Sequence, residues 1–508
     1  MNGGKRTMLK PASMFTDGAI LCRRKEIRVF GEAADGEKVT ARLTDRAGAL
    51  LAEGEGTAAG GRFLVLLPPQ EAQTGCRLEI RTAKECAAAE DVAVGDVYLA
   101  GGQSNMELAL CNADEGPGII ESHNDPLIRF YNVPKTAVPG PEQKKAVEDA
   151  RWHAALPGQG GGDSAVAWFF AETLRRKMPE TPVGIIGCYW GGTSVSCWME
   201  EEDLRTLAEG QRYLSEYAER CAGKTMETFL AEEKVFQEAF DRWNRQVEAC
   251  KKENPGIAWE EIEKALGPCP WNPPAGPGSP YRPCGLAVTM LREIVPAALT
   301  GILYYQGEED TWRTEQYDTL MMSLIDRWRT AFRSEELPFL FVQLPMWIEK
   351  GAKDSKTWPA LRMRQCETRD RMRHTGMVCL LDQGEYDNIH PTNKRVVGER
   401  LYELAKKEIY GLKGETSPRV TGRRTEGSMM TLETDQPLMT ADGKEPAMLE
   451  LAGADGEFRP ARAMLEGPML HLTAAGVQYP VHCRYAWTDY GIVNLFAANG
   501  LPLEPFCF

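Results

Sequence analysis

Between residues 20 and 95 short apolar runs alternate with polar turns. The runs Ile27-Arg28-Val29-Phe30, Val39-Thr40-Ala41-Arg42-Leu43 and Phe63-Leu64-Val65-Leu66-Leu67 are separated by the turn-forming pairs Asp35-Gly36 and Gly60-Gly61. A half-buried strand alternates apolar and polar side chains, and glycine supplies the positive φ of a tight turn. The spacing therefore predicts a small β-sandwich-like domain over residues 1–95. From Val97 the runs become wholly apolar: Val97–Ala100, Val183–Ile186, Ile302–Tyr305, Phe339–Val342 and Met377–Leu381, with helix-like segments between them. Strands apolar on both faces, alternating with helices, predict a three-layer α/β domain with a parallel sheet over residues 96–412. Ligand sites in such sheets lie beyond the carboxyl ends of the strands, so chemistry belongs in the loops that follow these runs.

A charged stretch between Trp198 and Leu266 places Phe229, Phe236, Phe240, Trp243, Val247 and Cys250 at steps of seven, four, three, four and three, one face of a helix. Such a stripe packs onto its own domain more readily than onto a partner helix or a membrane. A connector rich in proline (Pro268, Pro270, Pro273, Pro274, Pro277, Pro280, Pro283) follows and excludes regular structure. Residues from about 200 to 285 thus read as a helical and Pro-rich insertion. After Gly414 short strands and turns return, predicting a second small β domain over residues 413–508.

The chain has 508 residues, and at roughly 150 residues per domain that length suits about three domains. Lys and Arg number 59 against 73 Asp and Glu, a net charge of −14, which argues against nucleic acid as a partner. The N-terminus lacks the apolar stretch of a signal peptide, and no run is long enough to span a membrane. Fourteen cysteines are scattered without a CxxC pair. That pattern disfavours a zinc site or a disulfide framework and predicts a cytoplasmic protein with neither a membrane partner nor a bound metal.

The most informative string is Gly101-Gly102-Gln103-Ser104-Asn105-Met106, directly after an apolar run. A serine on the sharp turn leaving a parallel strand presents its hydroxyl above the sheet, with its own N–H available to an oxyanion. The same string also reads as a Gly-Ser turn beside a helix N-cap, and Met106 stands where a GxSxG elbow would carry its second glycine. A serine nucleophile needs a base. Of six histidines, His390 alone follows the last apolar run of the α/β region, with Asp387 three residues before it as a candidate to orient the imidazole. Two further loops offer oxyanion donors: backbone N–H groups at Gly191-Gly192, and the Gln306 side-chain amide. Taken singly, the first is more often a turn and the second more often a structural hydrogen-bond partner.

The blocks GGQSNM, WGGTSVSCW, YYQGEED and DNIHPTNKRVVGERL resemble those of the sialate O-acetylesterase family of SGNH-type hydrolases, related to carbohydrate esterases that deacetylate xylan. The resemblance implies an SGNH-hydrolase-like domain and a serine esterase that removes acetyl groups from a mono- or oligosaccharide without a cofactor. It implies Ser104 as nucleophile, His390 as base and then acid, and Asp387 as its orienting carboxylate. The oxyanion donors would be Ser104, Gly191 or Gly192, and Gln306, while Gln103, Asn105 and Glu308 are candidate substrate-binding residues. O-acetylated sialic acid is the first expected substrate and acetylated xylo-oligosaccharide the second. Glu309 departs from the family's usual small polar residue and adds negative charge near the mouth, with Arg313, Lys394 or Arg395 as the cations that would offset it. A carbohydrate-binding protein that keeps the fold without the activity is the rival from another class. A thioesterase or lipase would want an apolar channel, which the aromatic loops suit less well.

Overall fold

The computed structural model describes residues 8–254, 257, 259–271 and 273–508. Residues 1–7, part of the N-terminal stretch read above, lie outside the described residues.

One strand, Cys86–Gly102, organises most of the molecule. Its first half pairs antiparallel with Gln73–Arg81 and parallel with Ile20–Cys22. Its second half lies between Val183–Tyr189 and Gly301–Tyr305, parallel to both. The full path across this sheet runs His153–Ala155, Asp125–Asn132, Val183–Tyr189, Cys86–Gly102, Gly301–Tyr305, Phe339–Val342, Thr375–Val378. Every neighbouring pair on the path is parallel except that of the edge strand His153–Ala155. The helices Ala165–Lys177 and Lys394–Glu408 pack on each other, as do Tyr317–Ala331 and Thr357–Arg371. All seven residues of Val183–Tyr189 are buried, which is why that run is apolar on both faces.

The expected boundary between residues 95 and 96 falls inside the Cys86–Gly102 strand. Val29, Leu43 and Val65 share one apolar core with Ile185 and Leu303; Lys38–Thr44, Leu50–Thr57 and Gln73–Arg81 continue the central sheet, while Lys10–Pro11, Ile27–Glu32 and Arg62–Leu67 form a separate three-stranded sheet against the same core. The C-terminal region differs. Seven antiparallel strands between Val420 and Cys507 enclose a core of their own, into which Met346, Cys379 and Leu381 reach from the α/β region. This explains a shifted strand end. The last parallel strand is Thr375–Val378; beyond it Cys379 and Leu381 are apolar because they pack into the C-terminal core, while Leu380 packs into the central one.

In the insertion all six stripe residues lie on the helix Met226–Glu253. Phe229 is buried beneath the Pro-rich connector, where a Cβ at Gly276 would fall 2.2 Å from its ring. Trp243 and Val247 join Ile262 in a small core, and Phe236 stacks on Phe240 at 5.7 Å between ring centres. The stripe therefore packs within the chain. No described helix is long and apolar enough to cross a membrane.

Candidate functional site

At Gly102 the backbone takes φ 129°, and a Cβ there would lie 2.1 Å from the Tyr305 carbonyl oxygen. Only glycine fits, and the chain turns through Gln103 into the short helix Ser104–Glu107. Ser104, half-buried at the start of that helix, has its Oγ 2.9 Å from His390 Nε2 across 286 residues of sequence. In the tautomer protonated at Nδ1, the hydroxyl donates to Nε2. Burial, and secondarily the Lys394 charge, push the His390 pKa down to about 4. The imidazole is thus neutral at neutral pH, the state in which it can take a proton from serine. Its loop is held by the His390 N–H donating to Asn388 Oδ1 at 3.1 Å and by the Ile389 carbonyl accepting from Asn105 Nδ2 at 2.9 Å.

Beneath Ser104 lies a buried polar floor. Asn105 is fully buried; its Nδ2 also donates to Glu308 Oε1 at 2.6 Å, and its Oδ1 accepts from Lys394 Nζ at 2.5 Å. Burial pushes the Lys394 pKa down to about 7 and the Glu308 pKa up, because a charge loses its hydration there. Glu308 Oε2 has no hydrogen-bond partner among the described residues. Gln103 Oε1 accepts from Gln306 Nε2, the Gly307 N–H and the Glu309 N–H, each at 3.2 Å. Gln103, Asn105 and Glu308, expected to contact substrate, form this floor. With at most 7% exposure they are engaged with the protein and hold the loops that carry Ser104 and His390.

The expected oxyanion donors divide. The Ser104 and Gly192 N–H groups have no acceptor among the described residues. The Gly191 N–H instead donates to Glu107 Oε2 at 2.5 Å, although Gly191 packs over the serine, with a Cβ there lying 3.3 Å from Ser104 Cβ. The Gln306 amide already has protein partners. Its Nε2 donates to Gln103 Oε1, the Thr193 carbonyl and Asp310 Oδ2, so its amide serves the scaffold.

Asp387, expected to orient His390, is hydrogen-bonded elsewhere. It sits at φ 61°, its Oδ1 accepts from the Lys350 N–H at 2.7 Å, and its own N–H donates to the Ile348 carbonyl at 3.1 Å. The left-handed turn and the nearby Lys350 amide satisfy this carboxylate away from the imidazole. Among the described residues no carboxylate is hydrogen-bonded or ion-paired to His390. The cations expected to offset Glu309 are engaged as well: Arg313 by Glu209 and Glu216, Arg395 by Glu115 and Glu172, Lys394 by Asn105. Sequence reasoning missed the part that Lys394 plays in the floor. Its signal was a cation in the first turn of a helix, where the helix dipole disfavours positive charge. Among the described residues no group of three His, Cys, Asp or Glu side chains is placed to hold a metal.

The family described as carbohydrate esterase, sialic acid-specific acetylesterase, matches residues 271–407, which include the Gln306 and His390 loops. The sialate O-acetylesterase of Rattus norvegicus is 24% identical over 64% of this chain, and the match spans 58% of the rat protein. That of Mus musculus is 25% identical over 82% of this chain and 77% of its own length. Among solved structures, a carbohydrate acetylesterase from Xanthomonas citri aligns with a TM-score of 0.76 and 26% identity over 98% of this chain and 99% of that one. Residues 271–407 thus match the sialic acid-specific acetylesterase family of carbohydrate esterases, and the chain around them is similar to sialate O-acetylesterases and to a carbohydrate acetylesterase.

Proposed function

We propose that the protein is a serine esterase of SGNH type that removes O-acetyl groups from sialic acid. The observation that carries this reading is the 2.9 Å approach of Ser104 Oγ to a neutral His390 Nε2 at the end of the central parallel strand. Ser104 Oγ attacks the acetyl carbonyl carbon as its proton passes to Nε2, and the oxyanion takes the Ser104 and Gly192 N–H groups. The ester C–O bond then breaks, and His390 returns the proton to the departing sugar oxygen. Water attacks the acetyl-serine, His390 takes the water's proton, and acetate leaves as the proton returns to Ser104. Ser104 and His390 thus act as a dyad. The fourteen cysteines are free thiols, which supports a reducing, cytoplasmic setting. The test is acetate release from 9-O-acetylated sialic acid, p-nitrophenyl acetate and acetylated xylo-oligosaccharide by wild type and Ser104→Ala. Serine-dependent release with sialic acid preferred is the expected result; wild-type rates in Ser104→Ala would overturn it.

A further inference from the structure

The insertion and its Pro-rich connector help to wall a cleft that the chemistry above does not use. Its volume is about 640 Å³, within the usual range of small-ligand sites. It adjoins Ser104 through the Gly191-Gly192 turn. A Cβ at Gly191 would lie 3.3 Å from Ser104 Cβ, and one at Gly192, where φ is 69°, would lie 2.4 Å from the Trp271 ring. Trp271, Tyr281 and Trp312 line the cleft, and Trp312 is 58% exposed. Such flat aromatic faces suit the apolar faces of sugar rings. A buried chain of hydrogen bonds, Tyr213 to Asp310, Gln306 to Asp310 and Gln306 to Gln103, ties the insertion to the floor under Ser104.

Three cations line the cleft, and two are neutralised: Arg313 by Glu209 and Glu216, Lys224 by Glu232. Arg220 lies over the Tyr217 ring at 5.9 Å and has no ion pair among the described residues. Two carboxylates line the same cleft. Glu216 is paired, and burial pushes the Glu309 pKa up to about 7, so Glu309 is only partly charged at neutral pH. The Arg220 charge is thereby left available to a ligand.

We infer, building on the esterase reading, that this cleft is the recognition subsite for an acidic sugar. The ring packs against Trp271 and Trp312, the carboxylate pairs with Arg220, and the acetyl ester reaches over the Gly191-Gly192 turn to Ser104. The test compares kcat/KM for 9-O-acetylated sialic acid and for its carboxyl methyl ester, with p-nitrophenyl acetate as reference. Wild type is expected to favour the acid, and Arg220→Ala to lower that preference about tenfold, the loss of one charge pair. Arg220→Lys is expected to restore part of it. Equal wild-type values for acid and methyl ester, or a preference unchanged in Arg220→Ala, would overturn the subsite while leaving the esterase reading intact. Absence of p-nitrophenyl acetate turnover by wild type would remove the esterase reading and the subsite with it.

Discussion

The floor of the site and its outer wall are built on opposite terms. On the floor, Gln103, Asn105, Gln306, Glu308 and Lys394 are buried, and nearly every polar atom is spent on another protein group. On the wall, Trp312 from the loop after Gly301–Tyr305 and Arg220 from the insertion are presented to solvent, the arginine without an ion pair among the described residues. Buried polar groups are costly unless satisfied, so the floor is rigid and fixes where Ser104 and His390 stand. Exposed aromatics and an unpaired cation cost little to display and are free to meet a ligand. On the proposed reading, position belongs to the floor and recognition to the wall, and substitutions should sort accordingly.

Ser104→Ala marks the extreme. It removes the proposed nucleophile from a half-buried site without orphaning a floor group, so turnover is expected to fall at least about a thousandfold with thermal stability unchanged. Asn105→Ala should behave differently. It strips partners from Lys394, Glu308 and the Ile389 carbonyl at once, and each orphaned buried group costs about 1–3 kcal/mol. Turnover is expected to drop about a hundredfold through misplacement of His390, together with a clear loss of stability in denaturant. A fall in activity with no loss of stability would break the distinction between floor and wall.

The same distinction explains what could be seen in the sequence. Wholly apolar runs disclosed four of the five expected parallel strands in place, because burial on both faces leaves a continuous signature. The strand Asp125–Asn132 escaped notice, since Asp125, Pro126 and Arg129 interrupt its run. Ser104 and His390 were legible because each follows such a run. The floor was not. Asn105 and Lys394 are 289 residues apart, and no local spacing announces a contact of that range. Polar residues near a nucleophile invite a substrate-binding role, and only burial distinguished Gln103, Asn105, Gln306 and Glu308 as scaffold. The insertion's stripe was readable as a packed helix, but the cleft depends on how Trp271 meets Gly192.

Lys394 offers a finer probe of the floor. His390 stays neutral until its folded pKa of about 4, against an ordinary 6.5. The rate on p-nitrophenyl acetate is thus expected to hold as pH falls below 6.5 and to decline only near pH 4. Stability follows the same sign. The unfolded chain takes up the His390 proton from pH 6.5 downward while the folded chain resists, so this contribution is complete above 6.5 and is lost as pH falls towards 4. Burial is the larger cause and the Lys394 charge the lesser. Lys394→Met is therefore expected to move the acid limb of the pH–rate profile upward, part of the way towards 6.5. A limb that stays in place or moves down would detach Lys394 from the imidazole.

The smallest effect is expected at Asp387, where the spacing of the sequence and the geometry of the fold disagree most sharply. A carboxylate that oriented His390 would lose about four orders of magnitude of turnover on conversion to an amide, through the wrong imidazole tautomer. Here the Asp387 Oδ1 accepts from the Lys350 N–H, and the residue's own N–H holds the Ile348 carbonyl. Asn keeps an Oδ1 acceptor and tolerates the left-handed φ of 61°. Asp387→Asn should therefore retain turnover within about threefold of wild type, a change below 1 kcal/mol in the barrier. Asp387→Ala, which removes the acceptor, should loosen the loop that carries His390 and raise KM more than it lowers kcat. A collapse of kcat in Asp387→Asn would mean that this loop rearranges when substrate binds and brings the carboxylate to the imidazole. His390 would then owe its placement to a triad and not to the buried floor alone.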